Sequence, residues 1–327
     1  MSAIQKGRAS ALFCFLVALA VVAAAPVHAQ KQPRIGVTLA GSPPDRYAEA
    51  FRRGLAEHGW VEGKNVSVEY RYAGGRPERY RSFMHEFAQS RVDVIVAGGG
   101  PLAQEAAIGV TKTIPIVAPV MADPVAQGFV PNLARPGGHL TGLSLMVADT
   151  SGKRLELLRE AFPKMRRIAA LLDPANDFGQ SNATKAAAKV LGFELRIETA
   201  SRPEEFERAF DDATKAGAQG VVIFSSAMLN ASGKQLTELA ERKRLPAIYA
   251  NREYVEAGGL LSYGVDVAEM YRVSAKYVDR ILKGARPGDL PIEQPTKFEL
   301  FVNLRAAKVL GIKLPRAMVA RADQILE

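Results

Sequence analysis

In the segment VIVAGGGPLAQEA (94–106), an apolar run is followed by three glycines and a proline. Gly98, Gly100 and Ala103 match the G-x-G-x-x-G/A spacing of a dinucleotide-binding loop, and Asp123 lies about 20 residues farther on, where such sites carry a ribose-binding acid. However, that fingerprint belongs to the first strand of its unit, and this strand is the third. Pro101 stands at the first position of the next helix and leaves the neighbouring amides able to face an anion. The loop therefore indicates an anion-accepting helix start rather than a nucleotide site.

Residue types that perform catalysis are sparse elsewhere. The histidines beyond residue 29 are His58, His85 and His139, and the sequence contains neither a G-x-S-x-G elbow nor an H-E-x-x-H motif. Asp173 and Asp177 are explained by a proline turn and a helix N-cap. No His or carboxylate cluster has metal-ligand spacing. The sequence therefore predicts no catalytic residue, no metal and no cofactor, and an exported enzyme is the least favoured alternative.

The first residues have the pattern of a secretory signal peptide. Lys6 and Arg8 precede an apolar run over residues 11–25, and the small-residue site VHA follows. This run is shorter than the roughly 20 residues that a membrane-spanning helix needs. We expect residues 1–29 to be removed after Ala29 and the mature chain to be exported, to the periplasm if the source is a Gram-negative bacterium.

Composition narrows the possible functions further. The formal net charge is +9, but the basic residues form no cluster interleaved with aromatic residues, so nucleic-acid binding is not expected. The single cysteine, Cys14, lies in the signal peptide, so the mature chain has neither a disulfide nor a thiol nucleophile. A chain of 327 residues exceeds what one core usually serves, which favours two domains.

Short Val/Ile-rich segments alternate with longer segments of helical period. One array starts with RIGVTLA (34–40), and a second starts after HLTGLS (139–144). Strands that alternate with helices of this length indicate βαβ units and a parallel sheet covered on both faces. Further apolar stretches at 258–264 and 296–303 indicate several short crossings between the two arrays. We therefore predict an α/β fold with two lobes of similar build, each with a parallel sheet, joined by a hinge.

The loops that follow the predicted strands are the expected ligand site, because open parallel sheets bind ligands beyond the carboxyl ends of their strands. Six such loops are short, polar and rich in glycine or proline. They are residues 40–45, 97–101, 120–124, 173–179, 224–228 and 249–254. Tyr249, Tyr254 and Tyr263 lie at or near these ends, where their rings could stack on a ligand, although core packing explains each ring more simply.

Three longer segments resemble a known family. LARPGGHLTGLS (133–144), GGLLSYGVD (258–266) and the run 277–323, which begins YVDRILKGARPGDLP, are similar to ABC transporter substrate-binding proteins that include the TrpX-like tryptophan-binding components. The resemblance covers almost the whole mature chain. It implies a type I periplasmic binding protein, an α/β fold with two Rossmann-like lobes of parallel sheet joined by a three-crossing hinge.

The resemblance also implies a function. A small organic solute, amino-acid-like or an aromatic acid, is trapped between the lobes by hinge closure and delivered to an ABC permease in the inner membrane. The alternative is a periplasmic sensor that reports its ligand to a membrane receptor. The resemblance implies a monomer. It also implies that residues 30–141 and 264–297 form lobe 1 and that residues 142–263 and 298–327 form lobe 2.

Ligand contacts are implied in the loops at the carboxyl ends of the strands. The residues are Ser42, Gly99, Gly100, Asp123, Asn176, Ser225, Ser226, Tyr249 and Tyr263. By this similarity, Ser42, Gly99 and Gly100 donate to a carboxylate or carbonyl. Asp123 accepts from an ammonium or amide group, and Tyr249 or Tyr263 covers an apolar portion.

Two positions depart from the family pattern. His139 stands where Asn is common, and Gly99–Pro101 replaces a hydroxyl residue and alanine. The third loop therefore offers less side-chain hydroxyl chemistry, and a simple transfer of tryptophan as the ligand is not expected.

Overall fold

Two β-sheets organise the chain in the computed structural model, which describes residues 32–145 and 147–327. The predicted signal peptide, residues 1–29, lies outside the described residues. Along the described chain, short apolar strands alternate with helices, as the sequence pattern predicts. Within these same residues, no helix combines the length and the apolar character that crossing a membrane requires.

The described elements are as follows. The strands are β1 (Arg34–Leu39), β2 (Ser67–Tyr72), β3 (Val94–Ala97), β4 (Ile116–Met121), β5 (Leu140–Ser144), β6 (Arg167–Leu172), β7 (Glu194–Thr199), β8 (Val221–Ile223), β9 (Ala247–Tyr249), β10 (Leu261–Gly264), β11 (Glu299–Asn303) and β12 (Gln324–Leu326). The α-helices are α1 (Arg46–Glu57), α2 (Tyr80–Gln89), α3 (Pro101–Val110), α4 (Val147–Ala161), α5 (Gln180–Leu191), α6 (Phe206–Lys215), α7 (Ala227–Ala231), α8 (Gly233–Arg242), α9 (Arg252–Glu256), α10 (Val267–Leu282), α11 (Leu304–Val309) and α12 (Arg316–Ala320).

The first sheet has the strand order β2-β1-β3-β4-β5, and each described pairing in it is parallel. The residues of β3 are all buried, because helices cover both faces of the sheet. Phe51 and Leu55 of α1 pack into one of its two apolar clusters. Burial of each such side chain contributes about 2 kcal/mol of hydrophobic stabilisation.

A late segment of the chain completes the first lobe. Helix α10 packs against α1 and β4, although some 200 residues separate α1 from α10 along the chain. Tyr271, Tyr277 and Val278 of α10 are buried in the same cluster as β1. Trp60, which follows α1, donates from Nε1 to Asp279 Oδ1 at 2.9 Å. The core of the first lobe therefore depends on residues from two distant parts of the chain.

The second sheet has the order β12-β11-β10-β9-β8-β6-β7. Its pairings are parallel except for β10 with β11, which is antiparallel. The sequence predicts parallel sheets, and β11 differs for a topological reason. The chain leaves the second sheet after β10 and re-enters it from the first lobe, so β11 runs in the direction opposite to β10.

The chain passes between the sheets at three places, after β5, after β10 and before β11. The predicted lobe boundary at residue 141 falls inside β5, which pairs with β4 in the first sheet. The sheets thus place that crossing a few residues later along the chain. The α/β fold with two lobes of mainly parallel sheet is confirmed.

Candidate functional site

A cavity of about 220 Å³ lies beyond the carboxyl ends of the strands of both sheets. All six predicted loops contribute to its lining, together with the first crossing and α10. Its polar and aromatic lining residues are Asp45, Tyr47, Asn176, Phe178, Ser225, Ser226, Asn230, Asn251 and Tyr271. Asp45 is the one carboxylate among the described lining residues, which include no Lys, Arg or His.

Asp45 is held in place by helix α1, whose N-cap it forms. Its Oδ1 atom accepts hydrogen bonds from Tyr47 N at 2.8 Å and from Ala48 N at 3.1 Å. Aspartate is a preferred N-cap because its side chain satisfies amides that the helix leaves unpaired. Burial raises the pKa of Asp45 above its usual 3.8, although the two backbone donors oppose this shift. Among the described residues, Oδ2 has no hydrogen-bond partner and remains available to a ligand donor.

Two stacked tyrosines form the aromatic part of the cavity. The rings of Tyr47 and Tyr271 lie 5.1 Å apart between centroids, at an interplanar angle of 14°. Burial raises the pKa of both hydroxyls, so both side chains are neutral at physiological pH. Rings in this arrangement offer an apolar surface on which a further aromatic group can stack.

Two of the three glycines before α3, Gly98 and Gly99, are explained by tyrosine packing rather than by a nucleotide. A Cβ atom at Gly98 would lie 2.2 Å from Tyr271 Oη and 2.5 Å from Thr38 O. One at Gly99 would lie 2.1 Å from Tyr80 Oη, which donates to Gly99 O at 3.3 Å. Such contacts are too short for any side chain. Gly100 has a φ of 87°, a left-handed conformation that favours glycine. The glycines that resemble a dinucleotide fingerprint are therefore explained by tyrosine packing at Gly98 and by backbone conformation at Gly100.

The loop after β6 places an aromatic ring in the cavity at some conformational cost. Phe178 lines the cavity with a φ of 45°, a left-handed conformation that non-glycine residues adopt rarely. Strain of this kind is concentrated at ligand sites, where the surrounding structure enforces it. In the same loop, Asn176 Nδ2 donates to Asp173 Oδ2 at 2.8 Å, which fixes the amide.

The loop after β8 supplies hydroxyl groups. Buried Gln180 exchanges two hydrogen bonds with the backbone of Ser225, accepting from its N at 2.8 Å and donating to its O at 3.0 Å. Ser226 Oγ accepts from Leu229 N at 3.2 Å and so caps α7. Asn230 Oδ1 accepts from Tyr254 Oη at 3.1 Å. The polar groups of this wall are thus fixed by bonds within the protein.

Direct contacts join the two lobes at the edge of the cavity. Tyr47 Oη donates to Glu253 Oε1 at 3.1 Å. Arg46 Nη1 lies 3.2 Å from Glu253 Oε1 and 2.9 Å from Glu256 Oε2. We call this group of four side chains the lip cluster. Since Arg46 and Tyr47 belong to α1 and the glutamates to α9, the lip cluster holds the lobes together around the cavity.

The structure brings five of the residues predicted from the sequence to the cavity. Gly99, Gly100, Asn176, Ser225 and Ser226 all line it. Their contact with a ligand remains a prediction.

The other four predicted residues are not among those that line the cavity. Ser42 is exposed, and the Asp123 carboxylate accepts from the backbone amides of Val125 and Ala126 at 3.2 and 3.0 Å. Tyr249 is fully buried with its ring stacked on Tyr254, at 4.6 Å between centroids. The ring of Tyr263 stacks on Phe298 at 6.0 Å.

Asp45, Tyr47, Phe178 and Tyr271 line the cavity without having been singled out from the sequence. Asp45 and Phe178 lie within two of the predicted loops, so the loop rule could have found them. Tyr271 lies inside a helix, and its position gives no such signal.

Comparison with known proteins gives consistent matches. Residues 35–326 match the family model described as ABC transporter substrate binding protein. The tyrosine-binding protein of Clostridioides difficile (strain R20291) is 26% identical over 289 residues, which are 87% of this chain and 82% of that protein.

Solved structures match over the same extent. A conserved domain protein from Vibrio cholerae superposes with a TM-score of 0.84 and 28% identity, over 90% of this chain and 100% of the other. An ABC domain in complex with L-Trp from Streptococcus pneumonia superposes with a TM-score of 0.83 and 23% sequence identity, over 90% of this chain and 100% of the other. The second match, at this identity, shows the fold alone.

Proposed function

The chain belongs to the ABC transporter substrate binding protein family, and from this premise we propose that it is the solute-binding component of an ABC importer. Members of this family are solute-binding proteins and not enzymes. In this proposal the protein traps one small organic molecule between its lobes and delivers it to a permease in the inner membrane. The signal peptide predicted at residues 1–29 directs it to the periplasm.

The cavity between the two sheets carries the proposal. Its volume of about 220 Å³ suits one small molecule, and residues of both lobes line it. A ligand that touches both lobes stabilises the closed form over the open one by its differential contacts, which is how such a protein signals that it is loaded. The lip cluster adds contacts that exist only when the lobes are together.

The chemistry of the lining favours an aromatic ligand that carries a protonated amine. Tyr47, Tyr271 and Phe178 supply ring surfaces, and the Asp45 carboxylate is available to accept from an ammonium group. Since no lining cation balances Asp45 among the described residues, an aromatic acid without an amine meets repulsion there. The names of two relatives, a tyrosine-binding protein and an ABC domain in complex with L-Trp, agree with this chemistry.

Native mass spectrometry of protein purified without refolding, followed by isothermal titration calorimetry, tests the proposal. The titration panel is L-tyrosine, L-phenylalanine and L-tryptophan. Tyramine is the form of tyrosine that lacks the carboxylate, and 3-(4-hydroxyphenyl)propanoic acid is the form that lacks the amine. We expect one-to-one binding of at least one of the amino acids and loss of binding when the amine is removed.

Leucine is the matched aliphatic control, and we expect it to bind more weakly than the aromatic amino acids because it cannot stack on the tyrosine pair. A protein that binds none of the panel and retains a nucleotide or a chemically altered product would contradict the proposal. Equal affinity for the amino acid and its deaminated form would remove Asp45 from ligand recognition.

A further inference from the structure

Arg154 of helix α4 is a buried cation to which the described residues provide no counter-ion. Arg154 is 1% exposed, and its guanidinium belongs to none of the described ion pairs. Nη2 donates to Ser151 Oγ at 3.2 Å and to Thr150 Oγ1 at 3.4 Å, whereas Nε has no hydrogen-bond partner within the described part of the chain. An isolated buried charge is strongly unfavourable, so such a group requires an explanation.

The position of Arg154 connects it with the cavity. Its bonds to Thr150 and Ser151 direct the guanidinium toward the first turn of α4, where Val147 lines the cavity. Ser151 Oγ donates in turn to Val147 O at 2.8 Å. The guanidinium therefore lies behind the cavity wall that α4 provides.

A second chain of contacts leads to the same wall. Tyr254 lies near enough to Arg154 for an ionised phenolate there to raise the pKa of Arg154, and its hydroxyl donates to Asn230, which lines the cavity. Burial raises the pKa of Tyr254 well above its usual 10, so it is neutral and cannot serve as the missing counter-ion. Burial also lowers the pKa of Arg154 to about 10, which leaves it charged at neutral pH.

We infer that Arg154 is a positioning residue for the negatively charged group of the ligand, acting through the wall formed by Val147 and Asn230. This inference deepens the proposed function and rests on it. With Asp45 attracting an ammonium group on the first-lobe side, a positive charge behind the second-lobe side orients a zwitterion across the cavity. In the closed protein the ligand carboxylate supplies the negative charge that residues 32–145 and 147–327 do not place beside Arg154.

The test compares L-tyrosine with L-tyrosinamide, which lacks the negative charge, on the full mature protein by calorimetry. We expect R154M to bind L-tyrosine about tenfold more weakly than the wild type, and L-tyrosinamide unchanged. R154K, which keeps the charge, restores most of the affinity for L-tyrosine. K153M removes a charge from the adjacent exposed position of the same helix and leaves both affinities unchanged.

An equal loss for both probes, or no loss for either, overturns the inference, because a merely structural role does not distinguish them. If the wild type binds neither probe, the ligand proposed above is wrong, and thermal unfolding of the ligand-free proteins then decides about Arg154. If Arg154 is kept for its charge at the expense of stability, its replacement in R154M leaves the Tm unchanged or raises it. A lower Tm for R154M shows that the fold needs Arg154, and it too overturns the inference.

Discussion

The first-sheet wall of the cavity presents a carboxylate and two stacked rings, whereas the second-sheet wall presents mainly neutral hydroxyl and amide groups. Asp45, Tyr47 and Tyr271 belong to the first lobe, and Ser225, Asn230 and their neighbours to the second. Aromatic surface and a buried charge each contribute more to affinity than a neutral hydrogen bond does. We therefore expect the first wall to supply most of the binding energy and the second wall to orient the ligand as the lobes close.

The largest effect is expected from filling the space of a glycine behind the first wall. G98A puts a methyl group against Tyr271 Oη and Thr38 O, and we expect it to lower the free energy of unfolding by about 3 kcal/mol and to displace the tyrosine pair. Urea unfolding measures this change. The matched control is G109A in α3, where the added methyl has open space. It should stabilise the protein by about 0.5 kcal/mol, and similar losses in both variants would contradict the assignment.

The charge of the first wall is tested by D45N, which keeps an N-cap residue on α1. We expect the affinity for an amine-bearing ligand to fall by about 2 kcal/mol, or about thirtyfold, because a charged hydrogen bond is replaced by a neutral one. Calorimetry measures the change. D123N serves as the comparison, since its carboxylate caps a turn and does not line the cavity. If D123N loses more affinity than D45N, the ligand amine is bound by Asp123, which the sequence predicts, and not by Asp45, which lines the cavity.

The pH dependence of binding also tests the role of the Asp45 charge, and we expect a smaller change in affinity than for D45N. The ionised form of Asp45 binds an ammonium group, and its pKa is raised above 3.8 by burial. Protonation therefore begins at a higher pH than for an exposed aspartate, and affinity should decline as the pH falls from 7 toward 4. Titrations across this range should show the decline in the wild type and a flat profile in D45N. A decline of equal size in D45N would assign it to another group.

The smallest effect is expected where the two walls meet. R46A removes the ion pairs of the lip cluster, but these side chains are 28–44% exposed, so the loss of affinity should stay below about 1 kcal/mol. The wild-type affinity should also weaken as salt is raised, and R46A should lose that dependence. R272A is the control, since Arg272 pairs with Glu57 and Glu269 within the first lobe. Identical salt profiles for all three proteins would show that the lip cluster does not couple to binding.

The sequence predicts the loops of the site well because their positions follow from strand order alone. Parallel strands share a carboxyl edge, and all six loops predicted there line the cavity. The rule holds for the backbone, which is why Gly99, Gly100, Asn176, Ser225 and Ser226 lie where expected.

Side-chain direction is what the sequence does not determine. Tyr249 ends a strand at the correct edge, but its ring points into the core and stacks on Tyr254. Asp45 and Asp123 are both aspartates in predicted loops that accept from backbone amides, and only the fold shows which one faces the cavity. Tyr271 reaches the site because α10 returns to the first lobe, a long-range packing event without a local signal.

The return of α10 has a consequence for the order of folding. The first lobe begins at β1 but lacks part of its core until residues 267–282 are available, because Tyr271, Tyr277 and Val278 fill that core. Neither lobe is a continuous stretch of chain, so the first lobe cannot finish folding before residues 267–282 emerge, and the second cannot finish before β11 and β12 do. The signal peptide predicted at residues 1–29 implies export, and for export this delay is an advantage, because a chain that folds late stays unfolded while it passes through a secretion channel.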